Sequence, residues 1–528
     1  MEKVLNRKKY VEWALLLLSL ILHFSNISGL SIYALDEAKN ATAAIEMMQN
    51  KDWIIPTFNG EYRFDKPPLH YYFFILSYQV FGISEFSARF FPALFGFLTT
   101  YITFRFTKRN VGFKAGILSL LVLTSSLHWY IQFHMAVPDP FLIFFMTSAL
   151  MLFYKWSKSG FRSKKYMLAI YASLALATLS KGPVGVALPV LAMLIYSLSV
   201  NLLNSKRLVR IFHPVGLSLF FLIALPWYIL VATKTNGLWV EEFFFKHNLG
   251  RFSAPMEGHG GGFWLTWIYV AAGMLPFAFF IPQSFWHTIK FRTNKLTTFS
   301  LIASITIIVF FMMAGTKLPN YTVPAYPFIA ILIGNYLSWL VTKHKVQRLK
   351  TPVLLYAVLI LILPFGIYHG LKSDPNLQIP KSMLWLLMAP YLALPTLIIG
   401  YFRNKVWPVL LSMGSGFMIL SLVFFWWAFP KVDQQNPVLI AKDLQQNMQE
   451  SNLYYFKIFN PAFSFYLQRP IQDLQSDLQP QKAEGYLITR KRYLEELKVQ
   501  GINYEPIFEG KDLFESPTTI IVKLLPDQ

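Results

Sequence analysis

Apolar runs long enough to cross a lipid bilayer dominate this sequence. A membrane-spanning helix needs about 20 mostly apolar residues. Thirteen such runs can be read, at about residues 11–30, 86–106, 115–134, 139–156, 166–180, 184–200, 211–232, 263–286, 297–314, 320–341, 352–370, 382–402 and 406–429. Only 14% of the 528 residues are charged, against about 25% in a soluble domain. The pattern predicts an all-α polytopic membrane protein and excludes a disordered chain or a simple cytosolic enzyme.

The basic residues indicate the orientation of these spans. The chain carries 48 Lys and Arg against 27 Asp and Glu, and the surplus lies in alternate loops, around residues 3–9, 105–114, 155–165, 206–210, 290–295, 343–350 and 403–405. Because Lys and Arg concentrate in short cytoplasmic loops, we expect the N-terminus and these loops to face the cytoplasm. The net charge of +21 is then a topology signal, and no nucleic-acid partner is expected. The chain has no Cys, which excludes thiol chemistry.

The opposite face holds the unusual polar residues. With the N-terminus inside, the 31–85 loop, the 233–262 loop, several short turns and everything after Pro430 lie outside. Their notable side chains are Asp36, Glu37, Asp65, Lys66, Asp139, Lys181, His247, Arg251, His259, Lys317 and Tyr321. Charged groups near membrane depth tend to mark function, and a transporter usually places them near the midplane on broken helices. Their position at helix ends on one side favours a reaction centre at the external membrane surface.

The acidic positions have both a chemical and a structural interpretation. Asp36 and Glu37 directly follow the first span, where a carboxylate could accept the proton of an attacking hydroxyl or could simply end the span in water. Asp139 stands between two prolines at the start of a span, where the helix dipole stabilises a carboxylate with or without a catalytic role. The residues alone leave these alternatives open.

Several basic and aromatic positions suit a phosphate ligand. Lys66 precedes two prolines, which restrict the backbone, and Arg251 has the planar fork that grips phosphate oxygens. Lys317 and Tyr321 flank another outer turn, where they could hold a lipid phosphate or anchor the chain at the interface. Lys181, at an outer helix end, could equally snorkel to the interface.

A metal site depends on whether two loops meet. The spacing of His247 and His259 fits no standard zinc signature. Asp65 and His247 could bind a divalent ion only if their loops come together in space. A divalent metal such as zinc, bound by Asp65 and His247, is the candidate cofactor.

The segment after Pro430 differs from the rest because it contains no spanning run. Short β-like runs at Leu453–Ile458, Tyr486–Thr489, Tyr504–Phe508 and Thr518–Leu524 alternate with helix-like stretches at about 437–450 and 490–499. This pattern predicts a small α/β domain over residues 431–528. Thirteen crossings from a cytoplasmic start place this domain outside. It could cover the site or meet the acceptor, and a stabilising cap is the preferred interpretation.

Seven fragments in a fixed order connect the sequence to a known family. They are DE after the first span, then FDKPPL, FGISEFSARF, VPDP, LSKGPVG, HNLGRF and TKLPNYTVPAYP. Over roughly residues 10–330 the chain resembles the polyprenyl-phosphate-sugar-dependent glycosyltransferases of the GT-C class, above all the bacterial lipid A aminoarabinose transferases and, more distantly, the protein O-mannosyltransferases. The resemblance implies a GT-C-like transmembrane catalytic domain over residues 1–430, with external loops at 31–85 and 233–262.

The resemblance also implies roles for single residues. Asp36 matches the family's catalytic acid, with Glu37 and Asp139 as supporting acids. The residues that match donor phosphate ligands are Lys66, Arg251 and Tyr321, with Lys317 in the same KLPxY motif. Asp65 falls where aminoarabinose transferases have a zinc-binding Glu. Lys39 and Asn40 stand where the family often has Arg and Tyr, which indicates a different sugar or acceptor.

The implied reaction is an inverting transfer of a sugar from a polyprenyl-phosphate donor to a lipid A, other glycolipid, glycan or protein acceptor. It would take place on the periplasmic side of the bacterial inner membrane. A lipid-linked sugar flippase or transporter is an alternative, which would have polar groups within its spans and repeated halves. A lipid-linked polymerase or ligase is the nearest enzymatic alternative. A non-catalytic scaffold would not need acids and cations gathered in this order.

Overall fold

The computed structural model describes residues 2–255, 260–291, 294–373, 377–440, 451–476, 480–513 and 515–525, except for the side chains of residues 2–8. Up to residue 440 the described chain is almost entirely helical. Its α-helices are α1 Glu2–His23, α2 Leu35–Gln49, α3 Leu69–Phe81, α4 Glu85–Asn110, α5 Phe113–Thr124, α6 Leu127–Phe133, α7 Asp139–Lys158, α8 Lys164–Lys181, α9 Val184–Ser199, α10 Ser205–Ile211, α11 Pro214–Lys234, α12 Leu238–Glu241, α13 Arg251–Ser253, α14 Trp264–Gly273, α15 Ile281–Phe291, α16 Lys295–Met313, α17 Tyr326–Thr342, α18 Lys350–Lys372, α19 Ser382–Leu387, α20 Leu394–Phe402, α21 Val406–Val423 and α22 Phe429–Asp433. Two π-helical segments, Glu242–Gly250 and Phe424–Ala428, and a 3-10 segment at Pro319–Ala325 join these helices.

Seven helical segments of the described chain are long and apolar enough to cross a membrane. They are Asp139–Lys158, Ser205–Lys234, Lys295–Met313, Pro319–Thr342, Val346–Lys372, Ser382–Phe402 and Val406–Asp433. Two sharply bent pairs, Phe113–Thr124 with Leu127–Phe133 and Trp264–Gly273 with Phe277–Phe291, raise the number to nine if each pair is one span. A polytopic helical membrane protein is thus confirmed, whereas the count of thirteen is not. The other four predicted runs lie on α1, α4, α8 and α9, which are shorter or more polar.

Some helices pack so closely that only a small residue fits at the contact. At Gly334 of α17, a Cβ atom would lie 2.7 Å from the carbonyl oxygen of Ala115 in α5. Glycine therefore lets the two backbones approach directly, as is common between membrane helices. The main apolar core runs through these helices and through α6, α16, α18 and α21.

The 31–85 segment, expected from the sequence as a loop, is largely folded. It contains helices α2 and α3. Between them lies a short hairpin whose strands, β1 (Thr57–Phe58) and β2 (Glu61–Tyr62), have two residues each. The α2 helix is rich in Ala and buries most of its length, packing against α3 and the C-terminal domain. Both helices are too short to span a bilayer, so the search for apolar runs did not single them out.

The C-terminal part forms a five-stranded mixed sheet in the order β4-β3-β5-β7-β6. Its strands are β3 Leu453–Tyr455, β4 Gln472–Asp473, β5 Gly485–Arg490, β6 Asn503–Lys511 and β7 Thr518–Leu525, with helices α23 Ala462–Leu467 and α24 Leu494–Val499. The β3 strand pairs in parallel with β4 and β5, and β7 pairs antiparallel with β5 and β6. The small α/β fold is thus present, although α23 and β4 had no clear signal in the sequence. Most of the predicted 437–450 helix lies outside the described residues.

The C-terminal domain is fixed to the segment that leads into α2. The Tyr466 hydroxyl accepts a hydrogen bond from the Ile32 amide at 2.9 Å and donates one to Glu85 at 3.1 Å. The Asp433 carboxylate accepts the Ser31 amide at 2.7 Å. These contacts hold the start of α2 between the membrane helices and the sheet.

Candidate active site

A cavity of about 350 Å³ collects most of the residues that the sequence singled out. Its polar lining is Asp65, Lys66, Asp139, Lys181, His247, Asn248, Arg251, Asn320 and Tyr321. Its apolar lining includes Leu142, Val184, Phe243, Phe244, Leu249, Phe252, Phe310, Phe311 and Pro324. Residues from distant stretches of chain therefore share one chamber, charged in one part and aromatic in another.

Local backbone contacts bring two of the motifs together. The backbone of α13 pairs with the turn after α16, because the amides of Gly315 and Thr316 donate to the carbonyls of Phe252 and Arg251 at 2.7 and 3.1 Å. This pairing sets HNLGRF beside KLPNY. At Gly182, which has φ of +79°, a Cβ atom would lie 2.5 Å from the Phe243 ring, so glycine allows the end of α8 to approach the π-helical segment.

Asp36 lies in the first turn of α2, within the electric field of the charged part of the cavity. Although its side chain exposes 53% of its surface, the surrounding protein would by itself raise the pKa of the carboxyl. Nearby cations outweigh this effect and hold the pKa of Asp36 well below its ordinary value. The contributing cations, in decreasing order, are Lys66, Arg63, Lys181 and Arg251. Asp36 is therefore an ionised, accessible carboxylate facing a group of positive charges.

Arg63 is the residue that connects two acids of the site, Asp36 and Asp65. Its guanidinium Nη2 lies 3.2 Å from Asp36 Oδ1 and 3.3 Å from Asp65 Oδ2. The same group donates to Asn40 Oδ1 at 3.3 Å, and Nε donates to the Tyr71 hydroxyl at 3.0 Å. Because only 4% of the Arg63 side chain is exposed, it is a fixed buried cation behind the carboxylates. Its role was not predicted from the sequence, because an arginine in a loop without a motif carries no signal.

Asn40 contacts several of the buried polar groups next to Asp36. Its side-chain amide donates to the Asp36 carbonyl at 2.7 Å, and its Oδ1 lies 3.1 Å from His70 Nε2. The resemblance had marked position 40 as a departure from the family. Here the residue is buried and bonds to the Asp36 backbone carbonyl and to Arg63, so its direct surroundings are protein groups.

Glu37 has a different environment from its neighbour Asp36. Its carboxylate forms a bidentate ion pair with Arg89, at 2.7 and 2.9 Å. It also accepts a hydrogen bond from the Ala136 amide at 2.9 Å. Both side chains are almost completely buried. The remaining Arg89 donors bond to the carbonyls of Ile27, Leu30 and Ser31. Glu37 therefore fixes the start of α2 to α4, and its predicted role as a supporting acid stays a prediction.

Asp139 holds a lysine in the cavity. Lys181 Nζ donates to both carboxylate oxygens, at 2.7 and 2.9 Å, and Asn320 donates to the same carboxylate at 3.3 Å. The ammonium also lies 5.2 Å from the centre of the Tyr321 ring. Burial alone would lower the pKa of Lys181, but Asp139 and Tyr321 raise it. Lys181 is thus a charged cavity residue, although the sequence alone explained it equally well as an interfacial lysine.

Lys317 is placed apart from the other predicted phosphate ligands. It is buried and donates to the Ala314 carbonyl at 2.6 Å, and it does not belong to the cavity lining. Its predicted contact with a donor phosphate stays a prediction.

Asp65 and His247 meet in space, as a shared metal site requires. Asp65 Oδ1 lies 3.1 Å from His247 Nε2. A catalytic zinc site usually has three protein ligands, and among the described residues no group of three His, Cys, Asp or Glu is arranged for a metal. The two residues alone do not fit such a site, so no catalytic step is assigned to a metal. His259 lies outside the described residues.

The chain is similar to several known proteins. A family model described as dolichyl-phosphate-mannose-protein mannosyltransferase matches residues 13–240. Two uncharacterized proteins of Aquifex aeolicus are 28% identical over 96% of this chain and 98% of their own, and 30% identical over 71% and 73%. An undecaprenyl phosphate-α-4-amino-4-deoxy-L-arabinose arabinosyl transferase of Edwardsiella ictaluri is 27% identical over 68% of this chain and 67% of its own.

The fold also has a solved counterpart. The crystal structure of ArnT from Cupriavidus metallidurans bound to undecaprenyl phosphate superposes with a TM-score of 0.80, covering 97% of both chains at 22% identity. The sequence matches and the shared fold lead to one conclusion. This chain is a GT-C-class glycosyltransferase that resembles the aminoarabinose transferases and the protein O-mannosyltransferases.

Proposed function

We propose that this enzyme transfers a sugar from a polyprenyl-phosphate donor, such as undecaprenyl phosphate, to an acceptor hydroxyl or phosphate at the periplasmic surface of the bacterial inner membrane. The observation that carries the proposal is the position of one accessible carboxylate, Asp36, in the field of cations that line the cavity. The relatives named for arabinosyl transfer from undecaprenyl phosphate support the donor class. The basic loops at the opposite helix ends support the periplasmic orientation.

The cations of the cavity are suited to stabilise the leaving group of the reaction. Transfer breaks the bond between the anomeric carbon and the phosphate oxygen, and the electron pair stays on the departing carrier phosphate. Fixed positive groups stabilise this developing charge more in the transition state than in the ground state. Lys66, Arg251 and Lys181 line the cavity and are the proposed phosphate ligands, with the Tyr321 hydroxyl as a further donor.

The carboxylate of Asp36 is suited to activate the attacking group. As the acceptor oxygen bonds to the anomeric carbon, a hydroxyl acceptor must lose its proton, which Asp36 would accept. A carboxyl with a strongly lowered pKa is a weak base before the donor binds. An anionic donor phosphate would neutralise part of the field of Lys66 and Arg251 and thereby raise the pKa of Asp36. If the acceptor is a phosphate, Asp36 instead orients it.

The aromatic part of the cavity suits the lipid part of the donor. Phe243, Phe252, Phe310 and Phe311 continue from the charged part, and burial of apolar surface stabilises a bound prenyl chain by about 25 cal/mol per Å². A soluble sugar phosphate would leave the apolar surface of this part of the cavity uncovered. The lining therefore supports a lipid-linked donor.

The decisive experiment uses purified protein with radiolabelled undecaprenyl-phosphate-linked sugar and extracted envelope acceptors. We expect release of carrier phosphate only when acceptor is present, and a loss of turnover of about 10²–10⁴-fold in Asp36→Asn. Asp52→Asn is the matched control, because Asp52 pairs with Lys234 away from the cavity and should leave turnover unchanged.

The same assay separates the competing functions. Unchanged turnover in Asp36→Asn would reject this residue as the base. If intact donor moves across reconstituted vesicles without acceptor-dependent release of phosphate, the protein is a flippase and the proposal fails. Growth of a polymer on the carrier would identify a polymerase. Mass spectrometry of the product identifies the sugar, the acceptor and the anomeric configuration.

A further inference from the structure

A second polar cavity lies at the other end of two site-bearing helices. The α7 helix begins at Asp139 and α8 ends at Lys181, so their opposite ends lie about 30 Å from the candidate active site, at 1.5 Å per residue. The side chains around this 250 Å³ cavity are Trp156, Phe161, Arg162, Ser163, Lys164, Met167, Arg210 and His213. It is formed by the connection between α7 and α8 together with the end of α10.

The charges around this cavity are all positive. Arg162, Lys164 and Arg210 line it, and Arg210 is held in place by a hydrogen bond from Nη1 to the Gly160 carbonyl at 3.0 Å. Between Pro140 and Val240 the sequence contains no Asp or Glu. Apart from Asp139, at the opposite end of α7, helices α7 to α11 therefore supply no carboxylate to balance these cations, and the cavity is suited to an anion.

A buried donor gives independent support for a bound ligand. The Trp156 side chain is 3% exposed, and its indole Nε1–H has no hydrogen-bond partner among the described residues. A buried donor without an acceptor costs about 1–3 kcal/mol, and such groups are rare in native proteins. Because Trp156 lines this cavity, an oxygen of a bound molecule would supply the missing acceptor.

The same tryptophan also lines a neighbouring apolar groove of about 310 Å³. The groove lies between α8, α9 and α11 and includes Ile170, Val190, Leu194 and Phe221. Val190, Leu194 and Phe221 are exposed large apolar residues on helices of a membrane protein. A ligand with an anionic head and an apolar chain would therefore fill the cavity and the groove together.

We propose that this site binds one anionic phospholipid of the leaflet opposite the candidate active site. The lipid phosphate would contact Arg162, Lys164 and Arg210, an oxygen of the head region would accept the Trp156 N–H, and one acyl chain would lie in the groove. Basic pockets between membrane helices are suited to anionic headgroups, and each nearby Lys or Arg contributes measurably. The site shares no lining residue with the candidate active site, and the inference is independent of the proposed function.

Native mass spectrometry of delipidated full-length protein tests the site. We expect one dioleoylphosphatidylglycerol to remain bound at concentrations where dioleoylphosphatidylcholine does not. The double variant Arg162→Ala/Arg210→Ala should lower the affinity about tenfold or more, and Trp156→Phe should lower it severalfold. Lys343→Ala/Lys345→Ala removes two basic side chains from another turn on the same face, outside the cavity lining, and should bind as the unaltered protein does.

Competition distinguishes a lipid from a free anion. Inorganic phosphate or glycerophosphoglycerol, which lack acyl chains, should not displace the lipid at a hundredfold excess. Displacement by either, equal retention of phosphatidylcholine, or equal affinity of the cavity and control variants would overturn the proposal. Should the alanine variant fail to fold, Arg162→Lys/Arg210→Lys keeps the charge, and we expect it to retain anionic lipid with a fold verified by gel filtration. Loss of selectivity for phosphatidylglycerol in that folded variant would also contradict the role of charge.

Discussion

The carboxylate of Asp36 receives its properties from residues that are remote in sequence. Lys66 and Arg63 precede α3, Lys181 ends α8, and Arg251 begins α13, yet all of them lower the pKa of this one group. Arg63 is held by protein hydrogen bonds, whereas Lys66 lines the cavity. The two nearest cations should therefore affect catalysis in different ways.

Lys66→Ala tests the cation that faces the donor. Removal of a positive charge should raise the pKa of Asp36 toward its ordinary value, so the acidic limb of the kcat/KM profile should move to higher pH. Loss of one charge-assisted hydrogen bond to phosphate, about 1.5–3 kcal/mol, should raise the donor KM about tenfold or more. Lys234→Ala, which changes an exposed lysine paired with Asp52, is the control. A donor saturation curve and a pH profile identical to those of the unaltered protein would refute the assignment.

Arg63→Met tests the buried cation that positions the acids. We expect kcat to fall about 10- to 100-fold while the donor KM changes little, because Arg63 contacts Asp36 and Asp65 but does not line the cavity. The acidic limb of the pH profile should also move to higher pH. Arg63→Lys should recover part of kcat, since it restores charge without the guanidinium fork. A change in KM alone would assign Arg63 to donor binding instead.

At the scale of elements, α2 is held in position by a buried ion pair. Glu37 bonds to Arg89 of α4 and to the amide before α7, while Arg89 bonds to the chain that leads into α2. The first turn of α2 cannot move without breaking these bonds. The orientation of Asp36 therefore depends on Glu37, whose side chain pairs with Arg89 and not with Arg63.

Glu37→Gln should destabilise the protein strongly. Breaking one partner of a buried pair leaves an uncompensated charge and costs about 3–5 kcal/mol, which thermal unfolding in detergent would register as a clear drop in Tm. Glu496→Gln makes the same chemical change in a pair with Lys457 whose side chains are 41% and 34% exposed, where the effect should stay below about 1 kcal/mol. Equal Tm values for the two variants would contradict the structural role.

At the scale of the whole molecule, the C-terminal domain contacts α2, the helix that carries Asp36. Helix α23 and the sheet pack against α2 and α3 in one shared apolar cluster, and Tyr466 bonds across to Ile32 and Glu85. Among the residues that the structure describes, none after Pro324 lines the cavity of the candidate site. These contacts favour a stabilising cap over a part that covers the site.

Tyr466→Phe tests this indirect role. The change leaves the buried Ile32 amide without its acceptor, at a cost of about 1–3 kcal/mol, so Tm should fall. The donor KM should stay within about twofold of its original value. Tyr391→Phe removes one exposed hydroxyl bond to Leu361 and should alter neither quantity. A large rise in donor KM without loss of stability would show that the domain takes part in donor binding.

The sequence by itself determined the class of the molecule. Spans are local properties, because about 20 consecutive apolar residues must satisfy their backbone hydrogen bonds within one helix. The seven ordered fragments likewise identified the family and most of the cavity residues, since each motif is contiguous. The small C-terminal sheet was visible from the alternation of its strands.

Only the tertiary structure decided how these residues work together. Arg63 stands in no motif, and its role exists only because α2, α3 and the 233–262 segment converge on it. Tertiary packing also gives Asp36 and Glu37 different surroundings and pairs Lys181 with Asp139. It places Lys317 outside the cavity lining, where its ammonium bonds to the Ala314 carbonyl. Electrostatic energy depends on distances of a few ångströms and on the exclusion of water, and neither quantity can be read from the order of residues along a chain.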